Sequence, residues 1–440
     1  MNENSPAGVN PHYLEHVVAT AEAHEILVTE DIVTDTAVKL LVKGARIDAQ
    51  TRDRLLQHKL QRPLEECTQV VGGVVAEQFE SIGEALLDKH TLLQSLCTTE
   101  RARHAPASVA AASLSLPMQS LLTVYAKSRP DRLEHAVGVA MLALSLARRL
   151  LPGEIDRHRV LVLAGLLHDV GELYIDPAHL QPGTRLDAVA WRHVAIHPLV
   201  GHRVLVDMPG AGPEVARAVL QHHERLDGFG YPQGVCGDAF SVDGEIIAAA
   251  EWLMALAEHE ASPLARASMA LRLVPGEFRP ELLKLISGVA KEAPDLAAQH
   301  DVAPPLEEAL PRIMRLVDAL CRFDESRSWI EERMARAGPA LRAVLEVGIT
   351  RMVRIQVSFA STGLNAGNAK ALLEELACQQ DPGLYTEIAS LVGELEWRMR
   401  ELERRQRLRA SLLTDAERGV VDEVIVRLKG SAIQRAEALA

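Results

Sequence analysis

Apolar residues recur at helical spacing along most of this chain. In "LEHAVGVAMLALSLARRL", residues 133–150, one face carries His135, Val139, Leu142 and Leu146, which is the repeat of an amphipathic helix. Similar segments fill residues 106–292, separated by turn signals such as "PGAGPE", where Pro213 suits the first position of a helix. The pattern predicts a mainly α fold.

The first 105 residues show a different pattern, which predicts a small α/β accessory module. "AVKLLVKGARID" indicates a short strand at 38–42 and a turn at Lys43 and Gly44, and Asp48 follows as the N-cap of a helix. A further helix is predicted through "VVAEQFESIGEALLDKHTLLQSL", residues 74–96. Nothing in this module indicates a chemical site.

The C-terminal region, residues 293–440, is predicted to be helical after a Pro/Ala-rich connection at 293–305. Its longest apolar seam spans only two heptads, so two interpretations stay open: a helix of an intramolecular bundle, or a contact in a homodimer. The seam consists of Ile388, Val392, Leu395, Met399 and Leu402.

Length and composition narrow the class of protein. A chain of 440 residues is expected to hold two or three domains, and 48% hydrophobic with only 3% aromatic residues favours aliphatic helix packing. The net charge of -13 disfavours a DNA or anionic-membrane partner. The five cysteines show no paired spacing, and no secretion signal or long apolar run is evident, so we expect a soluble cytoplasmic protein.

Chargeable residues stand at apolar positions of the middle block. His135 lies on the apolar face of its helix, and "VLVLAGLLHDVGEL" is a nearly continuous apolar helix that ends in His168 and Asp169, with Gly171 as the predicted stop. Burying such groups is unfavourable unless they are bound to something. A metal ion would remove that penalty.

Further nitrogen and oxygen donors follow in the same block: His197 in "HPLVG", the pair His222 and His223, and Glu251 within an apolar helix. Imidazole and carboxylate donors suit Fe, Mn, Zn or Ni, and the absence of cysteine disfavours a structural zinc site. A carboxylate such as Asp169 can bridge two ions, and ions about 3.5 to 4 Å apart would clamp a phosphoryl group and activate water for in-line attack. His193 and His202 are expected to be ordinary histidines.

Residues from about 115 to 290 resemble the HD-GYP domain, a subgroup of the HD phosphohydrolases. The resemblance rests on His135, "HDVGE", "HPLVG" and "HHERLDGFGYP" at 222–232, in this order. It implies an all-α domain, placed here at residues 106–292, with two or three iron or manganese ions. It also implies hydrolysis of cyclic di-GMP to pGpG or GMP in bacterial signalling.

The resemblance also implies residue roles. One ion would be held by His135, His168, Asp169 and Glu251, and the other by Asp169, His197, His222 and His223. Asp169 and His168 are the predicted catalytic residues, and Asp131 is the candidate ligand of a third ion. The "GYP" loop is implied in substrate binding and in recognition of a protein partner. The predicted substrate-binding residues are Glu172, Asp227, Gly228, Gly230, Tyr231 and Pro232.

The chain departs from the family pattern at three places. Glu172 replaces the lysine of HDxGK, Glu251 replaces an aspartate, and Glu245 with "EHEASPLARAS" replaces an arginine and an RPYR-like turn. At about 5 Å and an effective dielectric near 20, a unit charge contributes roughly 3 kcal/mol to the interaction with a substrate phosphate. Reversing the charge at position 172 would therefore lower substrate affinity or rate by more than about 10³-fold. Glu172→Lys is therefore expected to raise turnover.

These features support a cyclic di-GMP phosphodiesterase of weakened activity. The alternative is a catalytically silent module that binds cyclic di-GMP or a protein partner through the GYP loop and the C-terminal helices. A phosphohydrolase for another nucleotide is a further alternative, because the departures fall on residues that would define the substrate.

Overall fold

The computed structural model describes residues 8–98, 104–181, 187–259, 262–293, 306–361, 363, 371, 374–375 and 382–429. The chain divides into two compact units, Met1–Arg185 with His193–Glu258, and Leu186–Arg192 with His259–Ala440. The predicted connection at 293–305 lies outside the described residues apart from its first position, as does Cys378. The fold is mainly α with short N-terminal strands, as the hydrophobic pattern predicts.

The N-terminal strands form two small antiparallel pairs, β1 with β4 and β2 with β3. The predicted strand at 38–42 contracts to three residues, and the turn after it uses Gly44 at φ +81°. Asp48 accepts hydrogen bonds from the backbone N–H groups of Gln50 and Thr51, and so caps α2 as predicted. The strands are β1 Ile26–Val28, β2 Ile32–Val33, β3 Lys39–Leu41 and β4 Thr68–Val70.

The prediction of one helix at 74–96 is wrong in one respect, because the helix is interrupted at His90. His90 adopts an extended conformation, and the buried Leu92 and Leu93 pack as part of a separate short helix. The helices before residue 260 are α1 Pro11–Ala21, α2 Ala49–Leu56, α3 Ala76–Lys89, α4 Thr91–Cys97, α5 Ala105–Ala110, α6 Leu116–Ser128, α7 Pro130–Leu150, α8 Ile155–Leu167, α9 Ala188–Ala195, α10 His197–Leu205, α11 Gly212–Gln221 and α12 Val242–His259.

Two glycines bring the site-bearing helices close together. A Cβ on Gly165 would lie 2.6 Å from the Cα of Ala140, so α8 approaches α7 at backbone distance. After α8 the chain forms a short 3₁₀ helix, Val170–Tyr174. A Cβ on Gly171 would lie 2.1 Å from the carbonyl oxygen of His197. Gly171 therefore does more than end a helix: it lets the segment after Asp169 touch the start of α10.

The second unit is also built from helices. The apolar seam lies on the helix Pro382–Ala410, and its residues are buried or half-buried within this unit. This burial favours a helix of an intramolecular bundle over a homodimer contact. A cavity of ≈ 280 Å³ lies among the helices between residues 306 and 429 and is lined mainly by apolar side chains. None of the described helices combines the length and apolarity needed to cross a membrane. The later helices are α13 Pro263–Ser268, α14 Ala270–Leu273, α15 Pro280–Lys291, α16 Leu306–Arg336, α17 Pro339–Ala360, α18 Pro382–Ala410 and α19 Asp415–Lys429.

Candidate metal centre

All of the side chains predicted as ligands of the two ions lie together in the first unit. They come from five helices: α7, the end of α8, the start of α10, the end of α11, and α12. Their donor atoms form two groups, and within each group these atoms lie within 4.8 Å of one another. The first group is His135, His168 and Glu251, and the second is Asp169, His197, His222 and His223.

The first group is centred on the Glu251 carboxylate. Its Oε2 lies 2.9 Å from Nε2 of His135 and 3.4 Å from Nε2 of His168. The glutamate that replaces the family aspartate therefore reaches both histidines. The longer side chain does not draw the carboxylate out of the group.

The second group is centred on Asp169, which also faces the first. Its Oδ1 lies 3.2 Å from Nε2 of His197 and 3.5 Å from Nε2 of His222, while its Oδ2 lies 3.3 Å from Nε2 of His168. The two oxygens of one carboxylate thus point to different donor groups. This is the arrangement that a bridging ligand needs.

Hydrogen bonds to the backbone orient three of the histidines. Each ring donates Nδ1–H to the carbonyl oxygen three residues earlier, which leaves Nε2 as the acceptor in that tautomer. The three bonds are His168 to Gly165 at 2.8 Å, His197 to Val194 at 2.9 Å and His222 to Val219 at 2.6 Å.

The spacing and burial of the histidine Nε2 atoms show whether the donors fit a metal ion. Nε2 of His197 lies only 3.0 Å from Nε2 of His222 in a buried space, and both nitrogens face Oδ1 of Asp169. Nε2 of His168 is buried and has no well-aligned hydrogen-bond partner among the described residues. Nitrogen and oxygen donors that converge in this way are what a divalent cation satisfies. The donor set fits.

Comparison with known proteins agrees with this geometry. The family model for the HD domain matches residues 82–274. The chain is 29% identical to 3'3'-cGAMP-specific phosphodiesterase 3 of Vibrio cholerae over 46% of this chain and 45% of that protein. It is 40% identical to the cyclic di-GMP phosphodiesterase PA4108 of Pseudomonas aeruginosa over 24% of this chain and 26% of that protein.

The chain contains a segment that matches the HD domain. Its match spans less than half the length of each of these two curated relatives. A solved HDG"Y"P protein of Bdellovibrio bacteriovorus, Bd1817, aligns with a TM-score of 0.33 and 14% identity over 61% of this chain and 94% of that chain, a likeness too low to add to the argument. The HD domain family implies binding of divalent metal ions, and the first unit of this chain has donor atoms grouped as such ions require.

Of two neighbours of the histidine ligands, the sequence interpretation missed Glu258 and predicted Tyr231 only as a substrate-binding residue. The Glu258 carboxylate lies 3.0 Å and 3.1 Å from Nδ1 of His135, so it holds this ring with Nε2 turned inward. Tyr231 of the GYP loop stacks on the His223 ring at 4.5 Å between centroids. Glu258 is the first residue of "EHEASPLARAS", the segment that replaces the RPYR-like turn of the family pattern. Residues 260–261 of this segment lie outside the described residues.

The GYP loop is ordered around a buried carboxylate. Glu224 accepts hydrogen bonds from the backbone N–H groups of Gln233 at 2.7 Å, Gly234 at 3.1 Å and Val235 at 3.2 Å. Gly228 takes a left-handed φ of +74°, and Asp227 accepts from the N–H of Phe229 at 3.0 Å. The predicted substrate-binding loop is thus a fixed turn beside His223.

Gly230 is needed for a different reason. A Cβ there would lie 2.3 Å from the Cα of Glu224, so the loop backbone passes directly over the segment that follows His223. The backbone N–H of Tyr231 donates to the carbonyl oxygen of His223 at 3.1 Å. Both contacts hold Tyr231 against the His223 ring.

The charges of the two donor groups differ. Burial lowers the pKa of His135, but the Glu251 carboxylate raises it more, to about 9. Burial would raise the pKa of Glu251, yet His135 and His168 hold it well below its usual range. In the second group burial lowers the pKa of His222 to about 4, so that ring is neutral at pH 7. In the same group, despite burial, the Asp169 carboxylate raises the pKa of His197. Metal uptake is therefore expected to release protons from both groups.

Glu172 is placed differently from the sequence expectation. It is 6% exposed, and two guanidinium groups reach it: Nη1 of Arg129 at 3.4 Å and Nη2 of Arg132 at 3.7 Å. The hydroxyl of Tyr125 donates to it at 3.4 Å. Burial and the nearby Asp169 raise the pKa of Glu172, while the two arginines oppose that shift. The carboxylate is thus not an isolated negative charge.

Other predicted residues lie apart from the two donor groups. Asp131 is exposed and lines a cavity of ≈ 220 Å³ beside Glu172, so its role with a third ion stays a prediction. Glu245 is buried in α12. His193 stacks on His179 at 6.0 Å between centroids, and neither His193 nor His202 belongs to a donor group among the described residues.

Proposed function

We propose that this chain hydrolyses cyclic di-GMP to pGpG or GMP at two divalent metal ions, with iron or manganese as the metal. The observation that carries the proposal is the Asp169 carboxylate, whose two oxygens face two separate groups of donors. The match to the HD domain and the names of the similar proteins support a phosphodiesterase acting on cyclic dinucleotides. Such second-messenger hydrolysis would take place in the bacterial cytoplasm.

We assign the predicted ligands to two metal ions. His135, His168, Asp169 and Glu251 would hold one ion, and Asp169, His197, His222 and His223 the other. A pair of divalent cations supplies Lewis-acid chemistry, since it neutralises phosphoryl charge and lowers the pKa of water.

The protein groups prepare this chemistry in three ways. The backbone carbonyls keep His168, His197 and His222 in the tautomer with Nε2 inward. Glu258 does the same for His135. The Asp169 carboxylate of the predicted catalytic pair, His168 and Asp169, would orient the attacking water. The GYP loop, including Tyr231 and Pro232, would border the substrate.

One assay tests the proposal directly. The protein is loaded with Fe(II) or Mn(II), the bound metal is quantified, and cyclic di-GMP is followed by chromatography beside 3'3'-cGAMP. Asp169→Ala removes the shared ligand, so both metal content and turnover should fall, turnover by on the order of 10³-fold or more. Asp243→Asn is the matched control, because Asp243 pairs with Arg157 outside the donor groups.

The two substrates separate the candidate functions. Cyclic di-GMP hydrolysis with two equivalents of metal supports the proposal, and faster hydrolysis of 3'3'-cGAMP would assign the activity that the Vibrio relative's name states. Two equivalents of metal with turnover of neither nucleotide would leave the silent signalling module as the function, acting through a protein partner or a homodimer.

A further inference from the structure

Two arginines lie beside the candidate metal centre: both contact Glu172, and Arg132 also contacts Asp169. Arg129 is the last residue before α7, and Arg132 lies in the first turn of that helix. Arg132 is three residues before His135, so the side chains of Arg132 and His135 lie on the same side of α7. The sequence interpretation considered only the lysine missing at position 172.

The contacts of Arg132 connect Glu172 with the shared ligand. Its Nη1 lies 3.9 Å from Oδ2 of Asp169, and its Nη2 lies 3.7 Å from Oε1 of Glu172. Its Nε is buried and forms no hydrogen bond among the described residues. The guanidinium is thus held beside the bridging carboxylate, and it keeps N–H donors for another acceptor.

Two arginines outnumber the Glu172 carboxylate that they contact. Apart from Asp169, which belongs to the donor groups, one carboxylate and two guanidinium groups have a net charge of +1. The N-terminus of α7 adds a partial positive charge. Asp131 is the further acid nearby, but it is exposed, so solvent screens it.

The two guanidinium groups are also accessible. The side chains of Arg129 and Arg132 are 20% and 26% exposed, whereas that of Glu172 is 8% exposed. Arg129 and Glu172 line the ≈ 220 Å³ cavity, together with His16 of α1 and Tyr125. An anion in this cavity would lie beside Arg129, and the Glu172 carboxylate at the same cavity also contacts Arg132.

We propose that Arg129 and Arg132 form a phosphate subsite, in which Arg132 binds the phosphodiester group to be cleaved and Glu172 holds both guanidinium groups in place. This inference rests on the proposed function for the identity of the phosphodiester, but the geometry of the subsite does not depend on turnover. Planar guanidinium groups suit phosphate oxygens because they offer paired, charge-assisted hydrogen bonds. The positive charge that the sequence seems to lack is supplied from α7.

Equilibrium binding tests the subsite without reference to catalysis. The metal-loaded protein is titrated by calorimetry with a phosphorothioate analogue of cyclic di-GMP and, separately, with orthophosphate. Arg132→Gln should weaken both affinities by about tenfold or more, because it removes a charge-assisted bond, and Arg129→Gln by about threefold. Metal stoichiometry should remain that of the wild type.

Matched variants separate binding from folding. Arg157→Gln is the control, since Arg157 pairs with Asp243 at 2.7 Å and is likewise partly exposed. The double variant Glu172→Gln/Arg132→Gln leaves no unpaired carboxylate, and it should bind as weakly as Arg132→Gln alone. If the double variant regained wild-type affinity, Arg132 would only neutralise Glu172 and the inference would be wrong.

The remaining outcomes are also decisive. Unchanged binding by Arg132→Gln contradicts the subsite while the proposed function stands. Orthophosphate binding that depends on Arg132, in a protein that hydrolyses no cyclic dinucleotide, supports the subsite and rejects the proposed function. A metal-loaded wild type that binds neither probe contradicts both.

Discussion

Each unit of the chain buries a cluster of charged side chains, and the two clusters solve the same physical problem differently. In the second unit the buried charges alternate in sign: Arg266 contacts Glu394, and Arg398 contacts both Glu394 and Glu277. Arg351 contacts Glu277 at the far end. In the first unit carboxylates and imidazole nitrogens instead converge on each other, with lone pairs turned inward.

The difference shows which cluster needs a ligand. In the second unit the distance from Arg398 Nη1 to Glu394 Oε1 is 2.7 Å, and Arg398 Nε donates to the carbonyl of Leu273 at 3.0 Å. Side chains and backbone of the same unit thus compensate these charges, as a structural ion-pair network requires. In the first unit Nε2 of His197 and Nε2 of His222 instead face each other and share one carboxylate oxygen, Oδ1 of Asp169. Burial of charge alone does not identify a metal site, but convergence of acceptors does.

The largest effect on folding is expected from breaking the structural cluster. Glu277→Ala leaves Arg351 and Arg398 without a common partner, so it should lower the free energy of unfolding by about 3 to 5 kcal/mol. Denaturant unfolding measures this, with the exposed Glu281→Ala as the control. Metal content should not change. Metal loss in Glu277→Ala, at equal folded fraction, would show that this cluster is not purely structural.

Glu172→Lys tests the arginine environment, and the structure reverses the expectation from sequence. A lysine here would place three cations together in a mostly buried space, so stability should fall by about 2 to 4 kcal/mol and turnover should fall with it. Glu172→Gln, which removes one charge without adding another, is the matched control and should be milder. Denaturant unfolding and turnover of the metal-loaded variants measure both effects. Higher turnover in Glu172→Lys would contradict the role of Arg129 and Arg132.

Glu258 offers a sharper test of how the first donor group is oriented. Glu258→Ala removes the acceptor for Nδ1–H of His135, so the affinity for Mn²⁺ should fall by about 10 to 100-fold. Glu258→Gln keeps a carbonyl acceptor and should retain most of the affinity. Calorimetric titration of the metal-free protein measures this, with the exposed Glu214→Ala as the control. Equal loss in the Ala and Gln variants would assign Glu258 a role other than orienting His135.

Four of the seven donors were predicted because they interrupt an apolar pattern, and His197, His222 and His223 were predicted from the motifs in which they stand. His135 and Glu251 stand within apolar helix faces, and His168 and Asp169 end an apolar helix. The side chains around the donors could not be predicted in this way. Glu258 and Arg132 look like ordinary surface residues of amphipathic helices. The role of Glu258 depends on where α7 and α12 meet, and that of Arg132 on where α7 meets the segment after α8. Residue spacing along one helix does not determine either contact.

The same limit applies to Glu172 and to the fold. A charge reversal at 172 is visible in the sequence, but its compensation by Arg129 and Arg132 comes from a different helix. The break at His90 and the close approach of Gly171 to His197 likewise depend on tertiary packing. Helical periodicity predicted the fold class and most helices, while the exact neighbours of each ligand required the structure.

The smallest effect is expected at the GYP loop, where Tyr231 packs on His223 in the second donor group. The rings are 22° from parallel. Tyr231→Ala removes the stacking, worth about 0.5 to 1.5 kcal/mol, so the weaker of two Mn²⁺ affinities should fall by roughly two- to tenfold. Tyr231→Phe keeps the ring and should bind metal like the wild type. If Tyr231→Phe lost as much affinity as Tyr231→Ala, the hydroxyl rather than the stacked ring would support the site, because only the hydroxyl distinguishes the two aromatic side chains.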